Sequence, residues 1–173
     1  MDTLFDLAKF ILPSIIVFLT AYYAIKKFLD NEHKVRILEM RKENQNTTLP
    51  LRLQAYERSV LFLERISPDA LVKRIYKQGM DARGMQSLIL TTIRTEYEHN
   101  ISQQIYISEQ AWSRLKTTKE EIIKLVNIAS GRVRDDATGL DLSKAILELA
   151  SKLDRNPTHL AIEFIKKEIR QLF

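Results

Sequence analysis

The 173-residue sequence contains no cysteine, only four glycines and four prolines, and one tryptophan. Without cysteine the chain can form no disulfide framework, no thiolate metal site and no cysteine nucleophile. Few glycines and prolines, in a sequence dominated by Leu, Ile, Ala, Lys, Glu, Arg and Gln, are typical of helical proteins. We therefore predict an all-α fold.

Sequence motifs of the common enzyme classes are also missing. The chain has no glycine-rich phosphate loop, no Gly-x-Ser-x-Gly, no His-Glu-x-x-His and no dinucleotide-binding fingerprint. The formal net charge of +5 is moderate, and the basic residues do not form the dense stripe that nucleic-acid binding requires. We predict a protein that is not an enzyme and that binds no cofactor, no metal and no nucleic acid.

One long uncharged run interrupts this polar composition. Residues 10–25 read FILPSIIVFLTAYYAI and contain no Asp, Glu, Lys or Arg. With the apolar residues just before them, they reach the roughly 20 residues that a helix needs to cross a bilayer. We predict a transmembrane helix, because a lone segment in lipid must pair all its backbone polar groups internally. The predicted anchor residues are Phe10, Ile11, Leu12, Ile15, Ile16, Val17, Phe18, Leu19, Tyr22, Tyr23 and Ile25.

Basic residues lie almost entirely on one side of this run. Lys26 and Lys27 follow it directly and Lys34 and Arg36 come soon after, whereas only Lys9 precedes it. Basic flanks stay on the cytoplasmic side, where they can contact anionic headgroups. We predict a single-pass inner-membrane protein with its N-terminus outside and its C-terminal domain in the cytoplasm. A buried core helix is one alternative; a cleaved signal peptide would need a basic n-region and a small-residue cleavage site, which are missing.

Composition divides the chain into three segments. Residues 1–27 form the anchor, residues 28–49 a polar helical stalk with a linker, and residues 50–173 a compact bundle of about six helices. The linker prediction rests on Asn44–Pro50, because Asn, Gln and Thr compete for backbone hydrogen bonds and a proline favours an extended residue before it. The stalk lacks sustained heptads, which argues against a long coiled coil.

Capping patterns predict the helix ends within the bundle. We predict one long helix from Met85 to about Ile107, with Ile101 and Ile105 on its inner side. Ser108 is the expected cap of the next segment. Further predicted helix starts are Ser67 before Pro68, Thr118, which has capping-box spacing, Asp141, and Asn156 before Pro157.

A Glu-x-x-His pattern at Glu96 and His99 is the main hint of catalytic chemistry. This spacing places a carboxylate and an imidazole on one helical face, as in di-iron bundles, which need a second such pattern and further inward glutamates. A similar pattern from Asp30 to His33 lies on the polar stalk. Such a short pattern arises often by chance in a polar helix, so a metal site is kept only as an alternative.

The stretch from Glu96 to Ser108, EYEHNISQQIYIS, followed by Trp112, resembles an uncharacterised family of small bacterial proteins with a membrane anchor and a helical cytoplasmic domain. The apolar run at residues 10–25 is consistent with this resemblance. The resemblance implies one anchored helical domain. It implies no activity, because none is assigned to the family.

Two groups of residues are candidate partner contacts. The first group comprises His99, Asn100, Gln103 and Gln104. These residues either pair two helices as a polar cluster or form a contact surface for a partner. The second group comprises Phe164, Leu172 and Phe173 of an amphipathic last helix. This helix either packs on its own bundle or docks a partner.

These features together predict a non-enzymatic accessory or scaffold subunit. It would dock a cytoplasmic helical domain on an inner-membrane protein complex, with the lipid bilayer and an integral-membrane protein as its partners. One alternative is a self-associating stalk or stator-like membrane subunit. Another is a membrane-bound metal-dependent enzyme that uses Glu96 and His99.

Overall fold

The computed structural model describes the backbone of residues 2–172; the side chains of residues 2–10, Leu12, Arg41, Asn44, Gln45 and Leu172 lie outside the described part. The described residues form six α-helices and one 3-10 helix, with no β-strand. The elements are α1 (Asp2–Arg65), α2 (Pro68–Ile75), α3 (Ala82–Glu98), the 3-10 helix (Ile101–Ile105), α4 (Glu109–Ser130), α5 (Gly139–Ser151) and α6 (Pro157–Leu172). The predicted all-α fold is confirmed.

Contacts divide the chain into two units, Met1–Leu49 and Pro50–Phe173. The first unit consists of the N-terminal part of α1, and every described side chain from Ile11 to Thr48 is exposed. The second unit is a helical bundle with a buried core. Each unit is described separately below.

The helix interruption predicted at Asn44–Pro50 is wrong, because α1 continues through it. The division into two units nevertheless falls between Leu49 and Pro50, where the bundle was predicted to begin. The Thr47 hydroxyl donates a hydrogen bond to the Glu43 carbonyl oxygen, four residues earlier, at 3.2 Å. A threonine makes this bond without leaving the helix. Pro50 removes one intrahelical N–H donor, and the helix nevertheless continues beyond it. The composition that predicted a break therefore does not end the helix.

Helix α4 is central to the bundle, since it contacts α3, α5 and α6. Its fully buried residues include Leu115, Ile122 and Ala129, spaced by seven along one face. The other helices also contribute fully buried side chains to this core, among them Leu63, Ile89, Ile146 and Ile165. Burying a large aliphatic side chain contributes about 1.5–3 kcal/mol, so this shared core stabilises the unit.

The helix ends predicted at Thr118 and Ile107 are wrong, whereas the starts predicted at Ser108 and at Asn156–Pro157 are confirmed. Thr118 does not cap a helix; it is buried within α4, which runs unbroken through it, because the apolar residues on either side continue one face. Helix α3 ends at Glu98, and the 3-10 helix replaces the last predicted turns before Ile107. The Ser108 cap is confirmed, since its hydroxyl oxygen accepts from the Ala111 N–H at 3.0 Å.

Helix α5 begins earlier than predicted, with Thr138 as its N-cap. The Thr138 hydroxyl oxygen accepts from the Asp141 N–H at 3.3 Å, and the Asp141 carboxylate accepts from the Thr138 N–H at 3.0 Å. This is a reciprocal capping box, in which Asp141 is the third helical residue and not the cap. The side-chain hydrogen bond from Thr138 lowers the pKa of Asp141 below its ordinary value, and the backbone bond lowers it further.

The segment before α5 is tied to the segment before α3. The Ala82 N–H donates to the Ala137 carbonyl oxygen at 3.0 Å, and the Gly139 N–H donates to the Met80 carbonyl oxygen at 2.7 Å. A Cβ at Gly139 would lie 3.0 Å from that Met80 oxygen. The close approach of the two segments therefore depends on glycine at this position.

Candidate interaction surfaces

The apolar run of α1 is uncovered among the described residues. The consecutive side chains from Ile15 to Leu19 are all exposed, so the apolar surface surrounds the helix and is not confined to one stripe. The large apolar side chains of the run are each 48% to 69% exposed, and they are Ile11, Ile15, Ile16, Val17, Phe18, Leu19, Tyr22, Tyr23 and Ile25. Helices that are apolar on all sides are normally buried, and an uncovered surface of this kind marks an interaction site.

In the part of the chain whose side chains are described, no helix is both long and apolar enough to cross a membrane. The transmembrane helix predicted from the sequence is therefore not found there. Two of its predicted residues, Phe10 and Leu12, have side chains outside that part.

The basic residues predicted to contact headgroups are Lys26, Lys27, Lys34 and Arg36, and all four are exposed on α1. Ion pairs among the described residues all lie within the bundle. The four basic side chains therefore make no ion pair with another described residue. Their charges are available to a surface outside the chain.

Glu96 is a structural residue of the bundle. Its Oε2 lies 3.2 Å from Nη1 of Arg65 and its Oε1 lies 3.3 Å from Nη1 of Arg74, while its side chain is only 13% exposed. The carboxylate thus connects the ends of α1 and α2 to α3. His99 is exposed, and the described residues contain no group of three or more His, Asp or Glu that could hold a metal ion. The geometry does not support a metal site at Glu96 and His99.

The polar residues after α3 make local contacts. The Asn100 side-chain amide donates to the Glu96 carbonyl oxygen at 2.7 Å, which satisfies the end of α3. Gln103 donates to the hydroxyl of Ser102, its neighbour in sequence, at 3.2 Å. Gln104 is exposed, as is His99. Their role as a partner-contact surface stays a prediction.

The 3-10 helix and the residue after it expose apolar side chains to solvent. Ile105 is 76% exposed, and Ile101 and Tyr106 are also exposed. Arg52 of α1 holds the segment in place, because its Nε donates to the Tyr106 carbonyl oxygen at 3.2 Å. The sequence analysis placed Ile101 and Ile105 on the inner side of a continuous helix, so it did not predict this exposed apolar patch.

The last helix packs on its own bundle, which is one of the two predicted arrangements. Ala161, Ile162 and Ile165 are buried. Phe164 is partly buried, and the Arg114 guanidinium carbon lies 5.8 Å from its ring centroid, at cation–π distance. The Leu172 side chain and Phe173, the remaining predicted contacts, lie outside the described residues.

A partly buried polar contact joins α1 to α6. The Tyr56 hydroxyl donates to Oε1 of Glu168 at 2.5 Å and accepts from the Ser108 N–H at 3.3 Å. Burial raises the pKa of Tyr56 above its ordinary value, and the hydrogen bond to Glu168 raises it further. The other Glu168 oxygen, Oε2, is buried without a hydrogen-bond partner among the described residues. The contact links α1 to α6 and to the start of α4.

An aromatic cluster that the sequence analysis did not identify connects α1, α3 and α4. The Tyr97 ring stacks on Trp112 with centroids 5.4 Å apart and lies 6.0 Å from the Phe62 ring. The Lys119 ammonium lies 4.2 Å from the Tyr97 ring centroid. The cluster is internal, so the Trp112 that carried the family resemblance is a packing residue here.

Comparison with known proteins identifies a family without a known activity. A model for a family of unknown function, DUF7935, matches residues 2–172. The chain belongs to DUF7935. The predicted resemblance to an uncharacterised family is therefore confirmed, whereas the match does not support membrane anchoring. Neither a curated protein nor a solved structure matches the chain.

This DUF7935 member also has an apolar groove on its bundle, between α4, α5 and the start of α6. The groove has a volume of about 300 Å³. Its apolar lining consists of Leu125, Ile128, Leu149, Leu153 and Pro157. Glu121, Lys124 and Arg155 supply charges of both signs beside it. The bundle therefore presents apolar surface to solvent at this groove as well as at the 3-10 helix.

Proposed function

We propose that this DUF7935 protein is a membrane-anchored docking subunit without enzymatic activity. In this proposal the segment Phe10–Ile25 inserts into the inner membrane as a single helix, with the N-terminus outside. The bundle is then held at the cytoplasmic face, where it binds an integral-membrane protein complex. The observation that carries the proposal is the apolar surface that surrounds α1 from Ile11 to Ile25.

The size of this surface supports a strong and permanent association. Nine large apolar or aromatic side chains of the run are exposed. Removing each aliphatic one from water stabilises by about 1.5–3 kcal/mol. The free energy summed over the run far exceeds that of a single exposed residue. The surface would cause aggregation if it stayed in water.

Lipid is favoured over a protein groove by the distribution of these residues. A groove covers one side of a helix, whereas lipid covers all sides, and the apolar side chains here occupy consecutive positions. Tyr22 and Tyr23 lie at the end of the run, directly before Lys26 and Lys27. Aromatic residues followed by basic residues are typical of the cytoplasmic boundary of a membrane helix.

The docking role is supported by the 3-10 helix of the bundle. Ile101, Ile105 and Tyr106 present apolar surface in an otherwise polar segment. Such a patch, surrounded by polar side chains, is typical of protein-binding sites. Arg52 fixes the backbone of this segment to α1, so the patch is already ordered before a partner binds.

Membrane extraction at high pH tests the anchor. The full chain should stay with the membrane pellet, whereas Ile16→Lys/Phe18→Lys should be released, because each lysine at the centre of a span costs about 2.5–3.5 kcal/mol. Ile37→Lys/Met40→Lys adds the same charges to exposed positions outside the run and should stay in the pellet. Release of the unaltered chain would refute the anchor.

The lack of cysteine makes the predicted orientation directly measurable. Thr3→Cys and Lys116→Cys each introduce a single thiol without any background. A membrane-impermeant maleimide applied to intact spheroplasts should label Thr3→Cys at once and Lys116→Cys only after lysis. The reverse pattern would contradict the orientation and leave the anchor itself intact.

Site-specific photocrosslinking tests docking. A photoreactive residue at Ile105 should give one discrete adduct with an integral-membrane protein. The same residue at Lys116, which is exposed on α4, should not. Equal adducts at both positions, or none at Ile105, would argue against the 3-10 helix as the docking surface.

A further inference from the structure

The exposed part of α1 beyond the apolar run carries a short heptad pattern. Phe28, Asn31, Val35, Leu38 and Lys42 are spaced by three and four residues, which is the spacing of the a and d positions of a coiled coil. We call these five positions the heptad seam. All of them are exposed in the structure. The seam extends over about 21 Å from Phe28 to Lys42, since a helix rises about 1.5 Å per residue.

The same spacing continues toward the N-terminus. The positions in register with the heptad seam are Ala24, Ala21 and Val17. All three are exposed. Small residues at such positions let two helices approach closely in a membrane. Ala24 and Ala21 therefore leave space for a partner helix on the seam to continue along the end of the apolar run nearest to it.

The charges beside the heptad seam are segregated by sign. Lys27 and Lys34 occupy g positions, and Glu32 and Glu39 occupy e positions. In a parallel pair of helices, each g residue faces the e residue five positions later on the other helix. Two copies of this chain would thus place Lys27 opposite Glu32 and Lys34 opposite Glu39, twice each by symmetry. No described residue of the chain pairs with these four charges.

An antiparallel pair would be unfavourable. It would bring g residues opposite g residues and e residues opposite e residues, which places lysine against lysine and glutamate against glutamate. Like charges that face each other in this way destabilise the antiparallel arrangement. The charge pattern therefore fits a parallel second copy, the arrangement imposed on two chains with the same membrane orientation.

We infer that two copies of this chain associate in parallel through the heptad seam of α1. Asn31 at a d position and Lys42 at an a position are polar, so the apolar part of the seam consists of Phe28, Val35 and Leu38. Because the seam is short, the association depends on the two copies being held close together. The proposed docking function needs only one copy, so this inference goes beyond it and can succeed or fail separately.

Disulfide crosslinking of the full chain in cells tests the seam. Val35→Cys and Leu38→Cys place one thiol on the seam, while Ile37→Cys and Met40→Cys place one off it. The pairs are matched, because Val35 and Ile37 are 45% and 43% exposed and Leu38 and Met40 are 63% and 59% exposed. Mild oxidation should form covalent dimers at least tenfold faster at the two seam positions.

Charge exchange then identifies the partner as a parallel second copy. In a Val35→Cys background, Glu39→Lys alone or Lys34→Glu alone should lower dimer formation severalfold, because each puts like charges opposite each other. Two differently tagged chains, one with each substitution, should form mixed dimers at least fivefold in excess over the statistical ratio. Asp30→Lys and Arg36→Glu change charges off the seam and should leave the ratio statistical.

Three outcomes of these experiments would overturn the inference that two copies associate through the heptad seam. Equal crosslinking at all four positions would show random collision, and crosslinking at none would show that no copy lies against the seam. Statistical mixing in the charge exchange would refute the parallel register. Retention in the membrane pellet is measured separately, so a negative crosslinking result leaves the anchor proposal untouched.

Discussion

Replacing Tyr56 with phenylalanine removes one hydroxyl from the contact that closes the bundle. The ring stays in place and keeps its packing, while Glu168 loses its donor at 2.5 Å and the Ser108 N–H loses an acceptor at 3.3 Å. A hydrogen bond to a charged group contributes about 1.5–3 kcal/mol, and leaving a buried partner unpaired adds to its loss. We expect Tyr56→Phe to lower the free energy of unfolding by about 2–3 kcal/mol.

Urea unfolding followed by tryptophan fluorescence measures this effect. Trp112 is the sole tryptophan of the chain, is buried, and reports on the bundle alone. The double variant Tyr56→Phe/Glu168→Leu replaces both partners with apolar groups and should be more stable than the sum of the single losses predicts. A loss below about 0.5 kcal/mol in Tyr56→Phe, or strictly additive losses, would refute the reasoning.

The pH dependence of stability gives an independent check on the same contact. The pKa of Tyr56 is raised above its ordinary value of 10.0, first by burial and then by Glu168. A raised pKa means that folding favours the neutral hydroxyl, so its stabilisation is complete below pH 10.0 and is lost as the pH rises through the folded value. The unaltered chain should lose stability more steeply than Tyr56→Phe above that pH. Parallel curves would contradict this assignment.

Three further substitutions test other features by thermal unfolding. Thr138→Ala removes the capping hydroxyl that accepts from the Asp141 N–H and should cost about 1 kcal/mol. The Thr138 hydroxyl also bonds to the Asp141 carboxylate and lowers the pKa of Asp141, so this part of the stabilisation should be present above pH 3.8 and be lost as the pH falls through the folded value. A loss that does not shrink at all at low pH would contradict the contact with the carboxylate. Gly139→Ala forces a Cβ to within 3.0 Å of a backbone oxygen and should cost about 1–3 kcal/mol, whereas Gly131→Ala, whose nearest contact is 3.7 Å, should change stability by less than about 1 kcal/mol. Glu96→Gln breaks two ion pairs and should cost about 1 kcal/mol, less at high salt; no loss at low salt would count against its structural role.

The all-α fold was predictable from the sequence because its composition is consistent along the chain. Helix starts were predictable where the local side chain decides, as at Ser108, whose hydroxyl caps α4. They were not predictable where a capping pattern competes with an apolar face. Thr118 has a good capping pattern but lies between buried apolar residues, so tertiary packing keeps it inside a helix. The Asn44–Pro50 segment is a different case, because α1 continues through it although its described side chains up to Thr48 are exposed.

The candidate sites were less predictable, because they depend on which residues meet in space. Glu96 looked like half of a metal site, and only the structure shows two arginines from other helices at its oxygens. Ile105 was expected on an inner face because its spacing fits a continuous helix, and the early end of α3 places it in solvent instead. The apolar run of α1 was evident from the sequence, since no tertiary contact is needed to see it.

The Tyr56–Glu168 hydrogen bond joins residues that are 112 positions apart, and this separation has a consequence for biosynthesis. During translation, Tyr56 and its buried neighbour Leu63 leave the ribosome long before α6 has been made. Until α6 has been made, Tyr56 lacks its hydrogen-bond partner Glu168 and the core lacks Ile165, so the unfinished core remains open to chaperones and proteases. A ribosome that stops before α6 would release a chain that cannot close its core, and cellular quality control should degrade it.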